Sequence, residues 1–238
     1  MRILDVNYDN ITSVDALDKA LFLLENNNKS NIFFLNADCL YIAQRDGQYR
    51  DILNSADLVL PDGIGLKLAT RLSGSKMQDN CNGSDFSPLL MARATGQGYK
   101  IFLLGGRQGI AERAARNIQE KIPQVQVAGT HSGYFDNEKE VIDKINGSGA
   151  DILFVAMGVP LQEKWICRNR DRINPKLCLG VGALLDYLSG NIRRAPKIFR
   201  AIHMEWAWRI FIEPKRLWRR YLVNDIKIFW LVLKQRYS

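Results

Sequence analysis

The position of one aspartate, Asp62, in the sequence makes it a candidate proton acceptor. It follows an apolar run, Asp57–Leu60, that is typical of a strand, and it stands between the stiff Pro61 and the small Gly63. A carboxylate held accessible at the end of a strand can accept the proton of an attacking hydroxyl group. The alternative is an aspartate that only shapes a Pro-Asp-Gly turn, and the residues by themselves leave both interpretations open.

A glycine-rich run, Gly105-Gly106-Arg107-Gln108-Gly109, is the second candidate site. Glycines between a strand and a helix allow backbone N–H groups to approach a phosphate, and Arg107 adds a positive charge. The run is neither Gly-x-Gly-x-x-Gly nor a Walker loop that ends in Gly-Lys-Ser/Thr. It therefore indicates either a phosphate-bearing ligand or simply a tight turn.

Signatures of metal-dependent chemistry are missing from the sequence. No Asp-x-Asp occurs, so a Mg²⁺ or Mn²⁺ ion on a diphosphate has no evident carboxylate ligands. The chain has two histidines, His131 and His203, and no Gly-x-Ser-x-Gly. We predict no metal and no cofactor, and arginines are the available means of neutralising a diphosphate.

Alternating strands and helices must position these side chains. Apolar runs of four or five residues predict strands of a parallel sheet buried on both faces. With helical patterns between them over residues 30–190, they predict an α/β fold with a Rossmann-like, mainly parallel sheet flanked by helices. The predicted strands are Asn31–Leu35, Asp57–Leu60, Lys100–Leu104, Gln124–Val127, Asp151–Val155 and Leu177–Val181. The first helix opens at a capping box, Thr12-x-x-Asp15, and the others span about 38–54, 64–72, 84–96, 109–121, 137–147 and 161–171.

The carboxyl ends of the strands are where such sheets bind ligands. Besides Asp62 and the glycine-rich run, this edge receives Asn36 after the first strand. Gln162 follows the fifth strand and Asp186 the sixth. These polar side chains are therefore candidates for the same site.

The last 48 residues differ from the rest of the chain in charge. Residues 191–238 hold twelve Lys or Arg against three acidic side chains, whereas the other 190 residues hold 21 basic and 22 acidic ones. Four of the five tryptophans also lie in this tail, and its pattern is helical. We therefore predict a catalytic α/β domain over residues 1–190 and a basic, Trp-rich helical appendage over residues 191–238.

The appendage suits an anionic lipid surface, where indoles lie at the headgroup level and basic side chains meet phosphates. Its longest uncharged apolar stretch, Ile228–Leu233, is far shorter than the roughly 20 residues that span a bilayer. With four cysteines that show no Cys-x-x-Cys spacing, the chain is expected to lie in the cytoplasm, peripherally on the inner face of the cell membrane. The alternative is a helix hairpin whose charges are merely solvated. If the appendage detaches, the exposed body could self-associate as a homo-oligomer.

Eight short motifs in order give the chain a resemblance to the WecG/TagA/CpsF family of bacterial glycosyltransferases. The similarity runs from about residue 30 to the C-terminus. A single such motif is a weak indicator, but eight in order with matching spacing are highly specific for the family. The motifs are Pro61-Asp62-Gly63, Leu104-Gly105-Gly106, Gly133-Tyr134-Phe135, Gly158-x-Pro160-x-Gln162-Glu163, Gly180-Val181-Gly182, Arg194-Ala195-Pro196, Glu205-Trp206 and Glu213-Pro214-x-Arg216.

This resemblance implies an inverting, metal-independent sugar transferase at the cytoplasmic membrane. Such enzymes move a sugar from a UDP-sugar donor to a polyprenyl-diphosphate-linked sugar acceptor, in the synthesis of teichoic acid, capsule, exopolysaccharide or common-antigen polymers. The resemblance further implies a catalytic group of Asp62 as base, Asn36 as its polar neighbour, and three tail arginines (Arg209, Arg216 and Arg219). It implies a uridine diphosphate pocket at Gly105, Gly106, Arg107, Tyr134, Gln162 and Asp186.

Two positions depart from the family pattern near its presumed sugar site. Phe34 stands where the family often has Thr, and Asn80 stands where it often has Arg. The donor is therefore expected to carry a hexose or an N-acetylhexosamine, with its identity left open.

A nucleotide-binding regulatory module with a nucleic-acid-binding tail is the alternative from another functional class. It would also use a basic C-terminus, and its affinity would depend steeply on salt. No recognition helix is evident and the tryptophans would have no role, so we expect no nucleic acid partner. An NAD-dependent oxidoreductase is disfavoured because the dinucleotide fingerprint is missing.

Overall fold

The computed structural model describes residues 1–26, 29–193, 195–196, 199, 205–212, 214, 218 and 224–237, except for the side chain of Arg209. A six-stranded sheet with the order β4-β3-β8-β7-β5-β6 forms its centre, and every neighbouring pair is parallel. Its strands are β3 (Ser30–Leu35), β4 (Leu58–Pro61), β5 (Ile101–Gly105), β6 (Val127–His131), β7 (Ile152–Ala156) and β8 (Leu177–Gly180). Strands β1 (Arg2–Ile3) and β2 (Val6–Asn7) pair as a short antiparallel hairpin.

Helices cover both faces of the sheet. They are α1 (Ser13–Glu25), α2 (Ala37–Ala43), α3 (Gly47–Asn54), α4 (Gly63–Leu72), α5 (Gly83–Gly96), α6 (Ile110–Lys121), α7 (Glu138–Gly147), α8 (Leu161–Asn169), α9 (Leu184–Leu188), α10 (Glu205–Ile212) and α11 (Asp225–Tyr237). The predicted α/β fold, with its parallel sheet between helices, is confirmed.

Alternate residues of each strand enter different hydrophobic layers, as the period of two requires. In β3, Ile32 and Phe34 pack in the layer of α1, α5, α6 and α9. Phe33 and Leu35 point to the other face, into the layer of α2, α3, α4, α7, α8 and α11. Both faces of the sheet are therefore buried under hydrophobic layers, which explains why its strands are apolar at nearly every position.

Local capping decides where several helices begin. The predicted capping box of α1 is confirmed, because Thr12 and Asp15 exchange their side-chain and backbone hydrogen bonds. The single helix predicted over 38–54 is wrong, because the chain forms α2 and α3 there. Asp46 interrupts it by accepting a hydrogen bond from the Tyr49 N–H (3.1 Å) and so starting a new helix.

The strand predicted at Gln124–Val127 is also wrong, since β6 occupies Val127–His131. Pairing with β5 begins only at Val127, and the Ile101 N–H donates to the Gln126 carbonyl just before it. This edge strand is half-buried throughout and contains Gly129, where an added Cβ would lie 2.6 Å from the Phe102 ring. Because Gly129 packs against the large Phe102 ring and its neighbours are only half-buried, the sequence of β6 has no apolar run that would predict a strand.

The C-terminal helix α11 packs on the α/β body beside α4 and α2. Ile228 and Val232 are completely buried in the same layer as α4. The Arg236 guanidinium donates to the Leu72 carbonyl at the end of α4 (3.0 Å), and the Leu4 N–H donates to Gln235 (3.2 Å). Among the described residues, no helix combines the length and the apolarity needed to cross a membrane.

Candidate active site

The carboxyl ends of all six strands meet along one edge of the sheet, as parallel pairing requires. Asn36 and Asp62 lie side by side there, because each directly follows a residue of the matched pair Leu35 and Pro61. The Asp62 N–H donates to the Leu35 carbonyl (2.8 Å) and ties the two strand ends together. The structure therefore brings the proposed base and its polar neighbour to the same point.

Asp62 occupies the residue before the first turn of α4 and is half-buried. Its side chain makes no capping hydrogen bond to that helix. The next amide, that of Gly63, donates to the Asn80 side-chain oxygen instead (2.7 Å). Gly63 has φ of 86°, a left-handed conformation that favours glycine and explains the Asp-Gly pair.

Asn36 caps the neighbouring helix. Its Oδ1 accepts a hydrogen bond from the Cys39 N–H at 3.0 Å, and its own carbonyl accepts from the Leu40 N–H. The cap uses the oxygen of the side-chain amide, so the Nδ2 group supplies the hydrogen-bond donors. Asn36 thus has a structural role as a helix cap, and its Nδ2 group remains a hydrogen-bond donor beside Asp62.

A polar cluster lies behind Asp62, on the segment between α4 and α5. The Asp79 carboxylate accepts from the N–H and hydroxyl groups of Ser13 and from the Asn80 N–H, and the Ser13 hydroxyl in particular lowers the pKa of Asp79. Burial raises the pKa of the Cys81 thiol, and the charges of Asp79 and Asp62 add to that effect. This cluster fixes the segment that supports the start of α4.

Gln162 is buried and makes its hydrogen bonds within the protein. Its Oε1 accepts from the Gly158 N–H (3.2 Å) after β7 and from the Gly182 N–H (2.9 Å) after β8. Its Nε2 donates to Glu163 Oε1 (2.7 Å). The side chain therefore joins the loops that follow two adjacent strands.

Glu163 is a buried acid whose part in this arrangement sequence reasoning missed. Burial raises its pKa to about 7, although the hydrogen bond from Gln162 opposes the shift. Its Oε2 has no hydrogen-bond partner in the part of the chain that the structure describes. The only indication in the sequence was its place beside Gln162 in a glycine- and proline-rich motif.

The glycine-rich loop after β5 is shaped by contacts with its neighbours. Gly105 adopts φ of 147°, and an added Cβ would meet the Ala156 carbonyl at 2.3 Å. The Gly106 N–H donates to that same carbonyl (3.1 Å), while the Gly106 carbonyl accepts from the Gly133 N–H (2.8 Å). The Gly106 amide is thus used inside the protein, whereas the side chains of Arg107 and Gln108 are exposed.

Tyr134 projects from the loop after β6, with 75% of its surface exposed. This loop packs directly on the one after β5, because an added Cβ on Gly133 would lie 3.1 Å from the Gly105 Cα. The Ser132 hydroxyl donates to the Tyr134 carbonyl (2.9 Å) and shapes the turn. Tyr134 and Arg107 therefore belong to one corner of the site.

Asp186 lies in α9 after β8 and is half-buried. Its carboxylate accepts from the Asn191 side chain (3.0 Å), and its carbonyl accepts from the Ile192 N–H (3.1 Å). It therefore holds the chain where the basic tail begins.

The tail contributes two further residues to this edge that the sequence did not reveal. Asp225, at the start of α11, is buried, and its Oδ2 is 3.4 Å from the position of an added Cβ on Gly65. The Asn224 side chain donates to Asp38 in α2 (3.4 Å). The side chain of Arg209 in α10, together with Arg216 and Arg219, lies outside the described residues.

The site residues form two groups along the edge. Asp62 and Asn36 follow β4 and β3, whereas the loops of Gln162, Arg107 and Tyr134 follow β7, β5 and β6. Strands β3 and β5 are three strand spacings apart, or about 14 Å. An elongated ligand can therefore contact both groups at once.

Comparison with known proteins identifies the family of the chain. The model of the glycosyl transferase WecG/TagA/CpsF family matches residues 1–238, the whole chain. The chain belongs to this family. The similarity inferred from eight motifs is thereby confirmed and extends to the first residue.

Named relatives in the family share about a third of their residues with this chain. The N-acetylglucosaminyldiphosphoundecaprenol N-acetyl-beta-D-mannosaminyltransferase of Bacillus spizizenii strain W23 is 33% identical, covering 84% of this chain and 77% of the relative. Proteins of the same name from Bacillus subtilis strain 168 and Staphylococcus aureus strain MRSA252 are 31% and 32% identical. These alignments cover 90% and 95% of this chain, and 82% and 89% of the relatives.

Proposed function

We propose that this glycosyltransferase inverts the anomeric centre of a UDP-linked hexose or N-acetylhexosamine as it transfers the sugar to a polyprenyl-diphosphate-linked saccharide. The product would enter a cell-surface polymer of the teichoic acid, capsule, exopolysaccharide or common-antigen type. The names of the relatives support N-acetylglucosaminyl-diphosphoundecaprenol as the acceptor. The observation that carries the proposal is the junction of Asp62 and Asn36 at the matched ends of β4 and β3.

Asp62 is assigned the role of general base in this mechanism. It lies at the carboxyl edge, where this class of sheet binds ligands, and it does not cap α4. As the acceptor hydroxyl attacks the anomeric carbon, Asp62 takes its proton and the bond to the UDP oxygen breaks. Asn36 offers amide N–H donors to the sugar or the hydroxyl beside the base.

The UDP moiety is assigned to the other half of the edge. The exposed Tyr134 ring and the Arg107 guanidinium lie in one corner and suit a base and a phosphate, respectively. Gln162 supports this pocket by holding the loops after β7 and β8. Arg209, Arg216 and Arg219 remain proposed to stabilise the charge that develops on the leaving diphosphate.

Peripheral attachment to the inner face of the cell membrane completes the proposal. Helix α11 exposes Ile226 and Trp230 on the side away from its buried residues, and Phe211 of α10 is 81% exposed. Aromatic side chains and basic residues favour the headgroup region of an anionic leaflet. The lipid-linked acceptor would then meet the site at the membrane surface.

The two departures from the family pattern concern the sugar. Phe34 is buried against Phe86, with ring centroids 5.8 Å apart, and also lies against Gly83. Asn80 is bonded to the Gly63 N–H. Neither supplies the hydroxyl or guanidinium common at these positions, so the donor must be found by testing several UDP-sugars.

The test is a panel of UDP-sugars with a short-chain polyprenyl-diphosphate-GlcNAc acceptor and anionic vesicles, analysed by mass spectrometry with and without EDTA. We expect one hexose or N-acetylhexosamine to be transferred with inversion, and turnover to survive EDTA. Absence of transfer from every UDP-sugar, or retention of configuration, would contradict the proposal.

The role of Asp62 is tested by Asp62→Asn, which cannot accept the proton. We expect turnover to fall about 10²- to 10⁴-fold while the affinity for UDP stays within a few-fold. Asp57→Asn is the matched control, since Asp57 precedes the same strand at its other end and accepts from the Asn31 N–H (2.8 Å). Near-normal turnover of Asp62→Asn would remove Asp62 from the base role.

A further inference from the structure

Helices α1 and α5 form an exposed face on the side of the sheet opposite to α11. They pack beside each other in the hydrophobic layer that Ile32 and Phe34 enter, whereas α11 packs in the other layer. A surface cleft of about 370 Å³ lies between the two helices, lined by Ser13, Val14, Leu17, Leu89, Ala92 and Arg93. We call the outer surface of these two helices the α1–α5 face.

Three large apolar side chains of the α1–α5 face are exposed to solvent. Val14 and Phe22 of α1 are 67% and 62% exposed, and Leu89 of α5 is 57% exposed. Val14 and Phe22 are eight residues apart, so they lie on the same side of α1. Single exposed apolar residues are ordinary, but a group of them beside a cleft is typical of a surface that another molecule covers.

Opposite charges accompany these apolar side chains on the two helices. Asp18 lies one turn after Val14 on α1, and Arg93 lies one turn after Leu89 on α5. Both are exposed, and neither forms an ion pair with any residue that the structure describes. The α1–α5 face therefore offers an acid on one helix and a base on the other.

The two helices run in the same direction, because α1 leads into β3 and α5 leads into β5 of the parallel sheet. Val14 and Leu89 line the same cleft, so they lie at a similar height along the helices. One turn further along, Asp18 and Arg93 are again at a similar height. The order along each helix is thus an apolar residue followed by a charged one.

This order makes the α1–α5 face complementary to itself. A two-fold axis along the helices places α1 against α5 of a second copy and keeps the height of every residue. Asp18 then faces Arg93 of the second copy, and Val14 faces its Leu89. A two-fold axis across the helices would place α1 against α1 and α5 against α5, without this pairing of opposite charges. Charge complementarity therefore favours the first arrangement.

We propose that two copies of the chain associate through the α1–α5 face, about a two-fold axis along the helices, with Asp18 of each copy paired to Arg93 of the other. Phe22 of each copy then lies near Gly96 of the other, where an added Cβ would point into open space. Two helices about 20 Å long and 10 Å wide cover only about 400 Å² in projection, against roughly 800 Å² per partner in a standard interface. The dimer is therefore expected to be reversible.

The symmetry of this dimer determines where its two sites point. Because the helices run along the strands, the axis does so as well, and the carboxyl edges of both sheets face the same end of the dimer. Helix α11 packs in the opposite layer and so stays on the outside of each copy. Under the proposed function, both sites would face one membrane. This consequence rests on the proposed function, whereas the dimer itself does not.

Sedimentation velocity of the full chain without lipid, from about 1 to 100 μM, tests the proposal. The mass should rise from one chain to two with concentration. Arg93→Asp and Asp18→Arg each place like charges together and should raise the dissociation constant about tenfold or more. The double variant Asp18→Arg/Arg93→Asp exchanges the two charges and should restore association. Arg71→Asp is the matched control, since Arg71 is also an exposed arginine in the last turn of its helix, on the opposite layer.

The apolar part of the contact is tested by Leu89→Ser, with Leu68→Ser of α4 as the control, because Leu68 is also exposed (44%). Only Leu89→Ser should weaken the dimer. A chain that stays monomeric at every concentration, or a dimer that the double variant does not restore, would overturn the proposal. So would monomers whose α1–α5 variants lose binding to anionic vesicles, because lipid would then be the occupant. Sugar transfer is not part of the readout, so failure of the proposed function leaves this test unaffected.

Discussion

Gln162 and Glu163 show how neighbouring polar side chains can serve a site from within the protein. An amide side chain can be turned either way, and the orientation of Gln162 is selected by what it meets. Because Glu163 accepts from its nitrogen, its oxygen faces the amides of Gly158 and Gly182. A buried acid thereby fixes the spacing of the two loops that frame the middle of the site.

Glu163 should make the stability of the protein depend on pH. Its pKa of about 7 in the folded chain lies above the ordinary value of 4.5, so the unfolded chain binds fewer protons between these values. The free energy of unfolding should therefore fall as the pH rises from about 5 to 8, by up to a few kcal/mol.

Glu163→Gln cannot ionise and should lose this part of the pH dependence. Urea denaturation at pH 5 and pH 8 measures it, and the stability of Glu163→Gln relative to the natural chain should rise between the two. The exposed Glu120→Gln controls for the change of side chain. An equal pH dependence in the natural chain and Glu163→Gln would contradict the prediction.

Helix starts position the half of the site that is proposed to be catalytic. Helices α2 and α4 follow adjacent strands, yet Asn36 caps its helix and Asp62 does not. The two residues therefore combine stability and chemistry differently. Asn36 caps α2 and is also proposed to act in the reaction, so a substitution there is expected to affect both stability and activity.

Asn36→Ala should lower stability and activity together, whereas the matched Asn137→Ala should lower stability alone. Asn137 caps α7 through the Glu140 N–H (3.3 Å), just as Asn36 caps α2. Each substitution should cost about 1 kcal/mol of unfolding free energy. Only Asn36→Ala should also reduce kcat. The loss should be tenfold or more if the Asn36 side-chain amide donates a hydrogen bond to a charged group in the reaction.

Thermal or urea unfolding and steady-state kinetics on both variants check this prediction. Unchanged turnover in Asn36→Ala would restrict Asn36 to its capping role. A similar loss of turnover in both variants would instead show that the kinetics follow stability.

The sequence predicted elements well where their pattern is local. The capping box at Thr12 and the buried strands of the sheet centre depend on neighbouring residues and appear as predicted. Edge strand β6 was misplaced because its half-buried residues lack an apolar run. The bond from Gly63 to Asn80 was not predictable, because it joins residues 17 apart through the path of the chain.

At the scale of the whole molecule, the basic C-terminal region is anchored on the body by its last helix. Helix α11 places Asp225 by Gly65 near the start of α4 and Arg236 by Leu72 at its end, so the two helices run in the same direction. The appendage proposed over residues 191–238 therefore includes a helix, α11, that shares a hydrophobic core with the first part of the chain. Truncation after Gly190 would remove core residues as well as arginines.

Ile228→Ala and Ile226→Ala test this packing within one helix. Ile228 is completely buried, whereas Ile226 is 58% exposed. We expect Ile228→Ala to cost about 2–4 kcal/mol of unfolding free energy and Ile226→Ala less than about 0.5 kcal/mol. Vesicle co-sedimentation should show the opposite order, because only Ile226 is exposed for insertion at the membrane. Equal losses of stability would show that α11 does not pack on the body in solution.

The uniform direction of the strands has a further electrostatic consequence. Helices α2, α4, α6 and α8 all begin just after the carboxyl ends of their strands, so their peptide dipoles direct positive ends toward the same edge. Each contributes roughly half a unit of positive charge, or about two units for the four together. These partial charges belong to the backbone and survive any side-chain substitution. A diphosphate at this edge would thus retain part of its attraction in a variant without a single tail arginine.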